Sequence, residues 1–486
     1  MKLLAASPLL LAVFASCSRD GSSTAPPISG ATATRPPDVL LISIDSLRAD
    51  HLGCYGYPKP TSPVIDRLAS EGVRFETAVS TTSWTLPAHA ALFTGLYDST
   101  HGVVDNGLAL PAKARTLAES LHERGYRTAG FYGGPYLHPV FGLGQGFDVY
   151  ESCMSLSVGE PGAGVKRVLD PREVASHTDV TGPRTLDAVK RHLATAASDV
   201  PQFLFVHLWD VHYDYQPPES YWRRFDPDYT GTLDARNVAT NPAIHERMPA
   251  RDLQHLIALY DGEIAFTDEI VGRILDAWKE RRDLDRTLVV ITADHGEEFF
   301  EHRGKGHQHT LFDEVLRVPL VVRWPAGIAG TRVVKDPVRL IDVFPTLAAA
   351  TGASTGSAVQ GRDLGPLLAG KTLPPQSALC ELLVDGGDVR ALRTDALKVL
   401  RFQGGRETFA LDLANDPKET RPLPPNSPAL ERGAAELVRE LEAARRLADE
   451  RKAPPKRITV ERALQDSLRG FGYLGGADED EPAKPR

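Results

Sequence analysis

The sequence predicts an α/β fold: a mostly parallel central sheet flanked by helices, then a small C-terminal antiparallel sheet and a helix. Three observations carry this. The runs DVLLISI at 38–44 and TLVVITA at 287–293 have no polar alternation, the mark of strands buried on both faces of a parallel sheet. Such runs alternate with helical patterns along the chain. After Pro374 the pattern changes to short strand-like segments separated by turn residues.

In chain order, the first strand ends at Asp45. SPVIDRLASEG has a helical apolar face of Val64, Ile65 and Leu68 and stops at Gly72. VRFETAVS reads as a strand leading to a turn at Thr85, just ahead of a helix over 87–94 that Pro87 starts. TLAESLHERGY and TAGFYGG read as helix then strand. QFLFVHLWDVH is a buried strand with His207, Asp210 and His212 at its end. A long amphipathic helix from Arg251 feeds the strand that ends at Asp294. VPLVVRW is a further strand, and IDVFPTLAAATG a helix with a Gly352 stop. Beyond Pro374, SALCELLV, VRALRTDALKVLRF and ETFALDL are short strands, with a hairpin at Gly404-Gly405. A helix is expected from about Pro428 to Lys452. The stretches 154–183 and 217–250 are Pro-, Gly- and Asp-rich, long loops of the kind that border active sites.

Composition sets the bounds. With 486 residues, the chain is long enough for one large α/β domain and a smaller unit. A formal net charge of -9 leaves no basic footprint, so no nucleic-acid partner is expected. Lys2, the apolar LLAASPLLLAVFA and Ser16-Cys17 resemble a bacterial lipoprotein signal, with Cys17 lipidated after cleavage. The expected location is therefore periplasmic or cell-surface, with membrane contact through that anchor alone. The resulting divisions are a signal at 1–17, a Ser/Thr/Gly/Ala/Pro linker at 18–37, a catalytic α/β domain at 38–372, a C-terminal subdomain at 373–456 and a charged tail at 457–486. Cys54, Cys153 and Cys380 form no disulfide framework and no zinc knuckle; one bridge is open to them in an oxidising compartment.

The chemistry gathers at strand ends. In parallel sheets, ligands bind beyond the carboxyl ends of the strands. Asp45, Asp294 and His295 should emerge there together, with Thr85 nearby. Two carboxylates, an imidazole and a hydroxyl are hard-to-borderline ligands for one divalent metal ion, zinc, manganese or calcium. A threonine hydroxyl is too basic to ionise unaided, so nucleophilic use of Thr85 demands a metal or a base. After the Asp294-His295 pair come Glu297, Glu298, His302, Lys305, His307 and His309. His307 or His309 is a candidate to protonate a leaving oxygen. His207 and His212 are candidates to hold anionic oxygens or, with Asp210, a second metal.

Assembled, these residues resemble the sulfatase family of the alkaline phosphatase superfamily. The resemblance runs from about Asp38 to Pro422 and is carried by ISIDSLRADHLGCYGY, LPAHAALFTGLYDSTHGV, FVHLWDVHYDYQPPESY, YDGEIAFTDEIVGRIL, TADHGEEFFEHRGKGHQHTLFDEVLRVPLVVRWP and LDLANDPKET. It implies an alkaline-phosphatase-like fold, a divalent metal, and hydrolysis of sulfate or phosphate esters.

The departures are informative. Sulfatases carry Cys or Ser, any residue, Pro, any residue, Arg, and oxidise the first residue to formylglycine. Here the motif reads Thr85-Leu86-Pro87-Ala88-His89, so no formylglycine is expected, and His89 stands at the Arg position. His89 is expected to bond the nucleophile or an anionic oxygen more weakly than a guanidinium would. Asp45 is followed by Ser46 rather than a second Asp, and Asp294 by His295 rather than Asn. This set looks more like the superfamily's threonine-dependent phosphodiesterases and phospho-group transferases. A threonyl sulfate lacks the aldehyde exit of a formylglycine hydrate, whereas a threonyl phosphate is open to in-line attack by water. The expectation is a hydrolase of a small anionic ester, phospho-ester favoured, carried free or on a glycan or lipid. The alternatives are a phospho-group transferase to a glycan or lipid, and a catalytically inactive surface binding protein.

Overall fold

The computed structural model describes residues 36–154, 180–356, 358–384, 387–402 and 405–459. The expectations on the signal at 1–17, on the linker before residue 36, on the centre of the 154–183 loop, on Gly404 and on the tail from 460 lie outside the described residues.

The central sheet has nine strands. They are β1 (Asp38–Ile44), β2 (Val73–Val79), β3 (Arg127–Tyr132), β4 (Val149–Ser152), β5 (Gln202–Leu208), β6 (Thr287–Ala293), β7 (Arg317–Arg323), β8 (Arg332–Val334) and β9 (Val338–Arg339). Their order is β8-β2-β7-β6-β1-β5-β3-β4, with β9 also on β2. Every pairing is parallel except those of β7, which runs against β2 and β6. The two apolar runs at 38–44 and 287–293 are neighbours in the middle of this sheet. All seven residues of β5 and of β6 are buried, which is why neither alternates in polarity.

Helices pack against the sheet. α1 (Pro63–Glu71) begins on Pro63, stops before Gly72 and buries Ile65 and Leu68. α2 (Thr85–Thr94) is buried along its whole length and closes on Gly95 at φ +66°, a left-handed cap that glycine adopts without a Cβ clash. α3 (Leu117–Glu123) opens with a capping box, Thr116 accepting from the Glu119 amide and Glu119 from the Thr116 amide. α4 (Gly182–Thr195) and α5 (Ala250–Lys279) pack together, and α6 (Val343–Thr351) ends at Gly352.

The C-terminal sheet is antiparallel, with β10 (Ala378–Leu382), β11 (Val389–Arg393), β12 (Leu397–Phe402) and β13 (Glu407–Asp412) in sequence order. Its faces separate with period two. Cys380, Ala391, Leu400 and Leu411 meet Leu311, Phe312, Val315 and Leu316. Leu379, Leu392, Val399 and Ala410 meet Leu437, Leu441 and Ala444 of α7 (Pro428–Arg451), with Ala91 and Tyr97. The segment 311–316, which follows the second strand-end acid, thus lies on this small sheet. A buried charge cluster fastens it there. Lys398 Nζ donates to Asp313 Oδ1 at 2.6 Å and faces Glu419 Oε1 at 2.6 Å, while Arg393 Nη2 donates to Asp313 Oδ2 at 2.9 Å. Cys54, Cys153 and Cys380 are free thiols, so the bridge left open by the sequence is not formed among them. No helix among the described residues is long and apolar enough to cross a membrane.

Candidate active site

Register builds the site. Ile44 pairs with Ala293 across β1 and β6, so Asp45 and Asp294 leave the sheet edge side by side. On the other flank of β1, Ser43 pairs with His207. Asp45, Thr85, His89, His207, Asp294 and His295 are all fully buried.

Thr85 is the first residue of α2, so the helix starts two residues before the expected Pro87. Trp84 precedes it and no side chain caps the helix. The Thr85 hydroxyl is therefore aimed elsewhere. It lies 3.2 Å from His295 Nε2 and 3.5 Å from Asp45 Oδ2. His295 Nδ1 donates to the Gly296 carbonyl at 2.9 Å, which leaves Nε2 facing the site.

The acids are oriented by the turns that follow them. Asp294 Oδ1 accepts from the amides of Ser46 at 3.2 Å and His295 at 2.9 Å. Ser46 sits at φ +55°, a left-handed conformation that turns its amide back onto Asp294. Its hydroxyl donates to Asp45 Oδ1 at 2.8 Å. Asp294 Oδ2 has no hydrogen-bond donor and lies 3.4 Å from His295 Nε2. Burial and then the Asp294 charge push Asp45 well above the usual carboxylate range. Burial acts upward on Asp294 too, but His295, His89 and His207 outweigh it and hold that carboxyl low.

This donor set fits a metal ion. Ligand atoms of Asp45, Asp294 and His295 lie within 4.8 Å of one another, as do those of His89, His207 and Asp294. Two carboxylates and three imidazoles converge here, all fully buried, and a cation among them would offset the cost of burying that charge.

The other histidines divide by what their ring nitrogens touch. His89 Nδ1 donates to the Thr85 carbonyl at 2.9 Å and Nε2 accepts from Ser43 Oγ at 3.1 Å. It therefore holds the backbone of the nucleophile position rather than its hydroxyl. Burial and the neighbouring His207 lower its pKa to about 3, so it is neutral. His307 Nδ1 is 3.0 Å from Glu297 Oε1, and its Nε2 has no partner. Its ring centroid is 4.3 Å from that of His295 and 4.8 Å from that of His212, which in turn stacks on Trp209 at 3.9 Å. Burial lowers His307 to about 3 and raises Glu297 to about 8. His309 is not brought to this group. Its Nδ1 donates to the His307 carbonyl at 2.8 Å and its Nε2 meets Glu298 Oε2 at 3.2 Å. Burial acts to lower its pKa, but the Glu298 hydrogen bond raises it on balance. Asp210 is engaged by the Thr181 amide at 2.7 Å and hydroxyl at 3.1 Å, at the start of α4, which ties it to scaffold rather than to a second metal. Glu297 is the residue that sequence reasoning leaves without a role; its position two residues past the Asp-His pair is its only signal. Lys305 Nζ donates to the Ile244 carbonyl at 2.7 Å, so the 217–250 loop does border this region.

Comparison with known proteins agrees with this architecture. Residues 37–353 match the Sulfatase family, and residues 301–447 match the C-terminal region of N-sulphoglucosamine sulphohydrolase. Mouse steryl-sulfatase is 30% identical over 446 residues, covering 75% of this chain and 70% of that protein. Human arylsulfatase A is 28% identical over 425 residues, covering 78% and 77%. Among solved structures, a protein in complex with its substrate D-glucosamine-2-N,6-O-disulfate aligns with a TM-score of 0.70 at 19% identity, over 86% of this chain and 99% of that one. The phosphonate monoester hydrolase of Agrobacterium radiobacter aligns with a TM-score of 0.66 at 24% identity, over 87% and 100%. The chain belongs to the sulfatase family of the alkaline phosphatase superfamily, and is a hydrolase of sulfate or phosphate esters.

Proposed function

We propose that this protein is a metal-dependent phospho-ester hydrolase with Thr85 as its nucleophile. The carrying observation is the placement of the Thr85 hydroxyl, at the buried start of α2 and within 3.5 Å of both His295 and Asp45. Asp45, Thr85, Asp294 and His295 would hold one divalent ion. Such an ion, when bound, acidifies a hydroxyl and neutralises charge on the transferred group. Thr85 gives its proton to solvent, and Oγ1 forms a bond to phosphorus as the ester P–O bond breaks. Glu297, which burial keeps protonated, passes its proton to His307 Nδ1 as neutral His307 gives the proton on Nε2 to the leaving oxygen. Water then attacks the phosphothreonine, the P–Oγ1 bond breaks, and the hydroxyl is restored. His212 is placed to bind anionic oxygens, and His89 positions the Thr85 backbone.

Phosphate is favoured over sulfate by the leaving chemistry of threonine. The fold itself supports both ester classes: one structural neighbour is described with a sulfated sugar substrate and another as a phosphonate monoester hydrolase. The test is a panel of aryl phosphate, aryl phosphodiester and aryl sulfate, run on metal-stripped and metal-loaded full chain. Metal-dependent turnover of a phospho-ester by water alone, above that of the sulfate, is expected. A sulfate preference overturns the substrate reading. Turnover only with an added glycan or lipid acceptor makes the protein a transferase, and tight binding without turnover makes it a binding protein.

A further inference from the structure

We propose that His207 is a further protein ligand of the ion at Asp45, Asp294 and His295, and that the resulting pair of imidazoles selects zinc or manganese over calcium. The inference rests on the reading above that this cluster binds a metal. His207 Nδ1 lies 2.8 Å from the Gly133 carbonyl, and a carbonyl only accepts, so the ring proton is on Nδ1. Nε2 therefore carries a lone pair. It is fully buried, lies 3.4 Å from Asp45 Oδ2, and has no hydrogen-bond partner. Asp294 Oδ2 is also buried without a donor; Asp294 is shared by two groups whose ligand atoms lie within 4.8 Å of one another, one with His207 and His89 and one with Asp45 and His295. Two buried, unpartnered side-chain atoms thus lie in one site with a carboxylate oxygen of Asp45. Buried polar atoms are rarely left in that state, and a shared cation satisfies all three at once.

The neighbouring residues explain why His207 and not His89 takes this place. Both His89 nitrogens are already used, on the Thr85 carbonyl and on Ser43 Oγ. The two rings meet edge to face at 4.8 Å, so His89 braces His207 from behind. The Gly133 carbonyl is the outer hydrogen bond that metal-bound histidines ordinarily make, fixing the tautomer and the ring plane. Strand register brings the residue there: His207 lies opposite Ser43, two positions before Asp45 on the adjacent strand. A carboxylate set with one imidazole accepts calcium, which prefers oxygen ligands. A second imidazole shifts the preference toward borderline transition ions.

The experiment uses the full chain, stripped with a chelator and titrated with Zn²⁺, Mn²⁺ and Ca²⁺ by calorimetry, with bound metal counted by elemental mass spectrometry. One Zn²⁺ or Mn²⁺ per chain is expected, each bound more tightly than Ca²⁺. His207→Ala should weaken binding by at least about 10- to 100-fold, since even outer-sphere partners of metal ligands are worth that much. Pulsed electron paramagnetic resonance of the Mn²⁺-loaded wild type should detect two coordinated imidazole nitrogens, a readout that needs no variant. The His207→Ala protein should show one. If Asp294→Ala abolishes binding while His207→Ala changes neither affinity nor nitrogen count, His207 is not a ligand although the metal site stands. If Asp294→Ala also binds normally, the metal reading itself fails. Two ions per chain, one of them lost in His207→Ala, overturns the single-ion assignment. Calcium bound more tightly than zinc and manganese overturns the selectivity.

Discussion

Thr85 separates structure from chemistry at a single position. Its side chain caps nothing and contributes one buried hydrogen bond to His295. Thr85→Ala should therefore cost only about 1 kcal/mol of stability. It should lower kcat by on the order of 10³-fold or more, as loss of a nucleophile does. Thr85→Ser should retain part of the rate, and mass spectrometry of a trapped intermediate should place the phosphoryl group on the peptide containing residue 85. A Thr85→Ala protein with unchanged kcat would remove the nucleophile from the proposal. At this scale, the sequence reads well where a residue's position follows from a strand end. Asp45, Asp294 and His295 are of that kind. It reads poorly in the loop beyond. His307 and His309 look alike in sequence, but Gly306 and Gln308 adopt φ values of +78° and +69°. Those turns break any simple alternation, sending His307 toward His295 and His309 toward Glu298.

Among the elements, the contact between α1 and α5 titrates. The Asp268 carboxylate on α5 accepts the Val64 and Ile65 amides at the start of α1, at 2.8 and 2.9 Å. Burial raises its pKa to about 7. The folded state therefore retains a proton that an unfolded carboxyl, with a pKa near ~3.9, has released. This contribution to stability is complete below pH ~4 and is lost as pH rises to about 7. Asp268→Asn does not titrate. Chemical denaturation of both proteins should show the wild type losing on the order of a few kcal/mol relative to Asp268→Asn between those limits, and no further change above. Parallel slopes across that range would mean that Asp268 is ionised throughout. Element types were legible here because apolar runs, Pro starts and Gly stops have local causes. Strand direction has none: VPLVVRW reads like its neighbours, yet β7 runs antiparallel to both strands beside it. The two-residue strand β9 is too short to leave a period.

For the whole molecule, the small sheet supports the catalytic loop from beneath. Lys398 lies fully buried between Asp313 and Glu419. Lys398→Met would leave buried Glu419 without its cation and half-buried Asp313 with Arg393 alone, and should destabilise the protein by about 3–5 kcal/mol in a denaturant titration. A change under about 1 kcal/mol would show that Arg393 alone compensates Asp313. We also propose, from the sequence of the first 17 residues, that the protein is exported and lipid-anchored. The full-length wild type should sediment with membranes and Cys17→Ala should become soluble; identical partitioning of the two rules the anchor out. Finally, 248 positions separate Ser46 from the Asp294 to which its amide is bonded. A growing chain that has reached Lys279 already contains Thr85 and β1 but lacks both Asp294 and the strand that delivers it. If the proposed site is the catalytic one, a fragment of that length should show no hydrolysis. On that reading catalysis begins only when β6 inserts beside β1, a long-range pairing of the kind that is slow to form. Activity is therefore a clock for folding: in a refolding experiment it should return with the final phase of structure formation and never ahead of it.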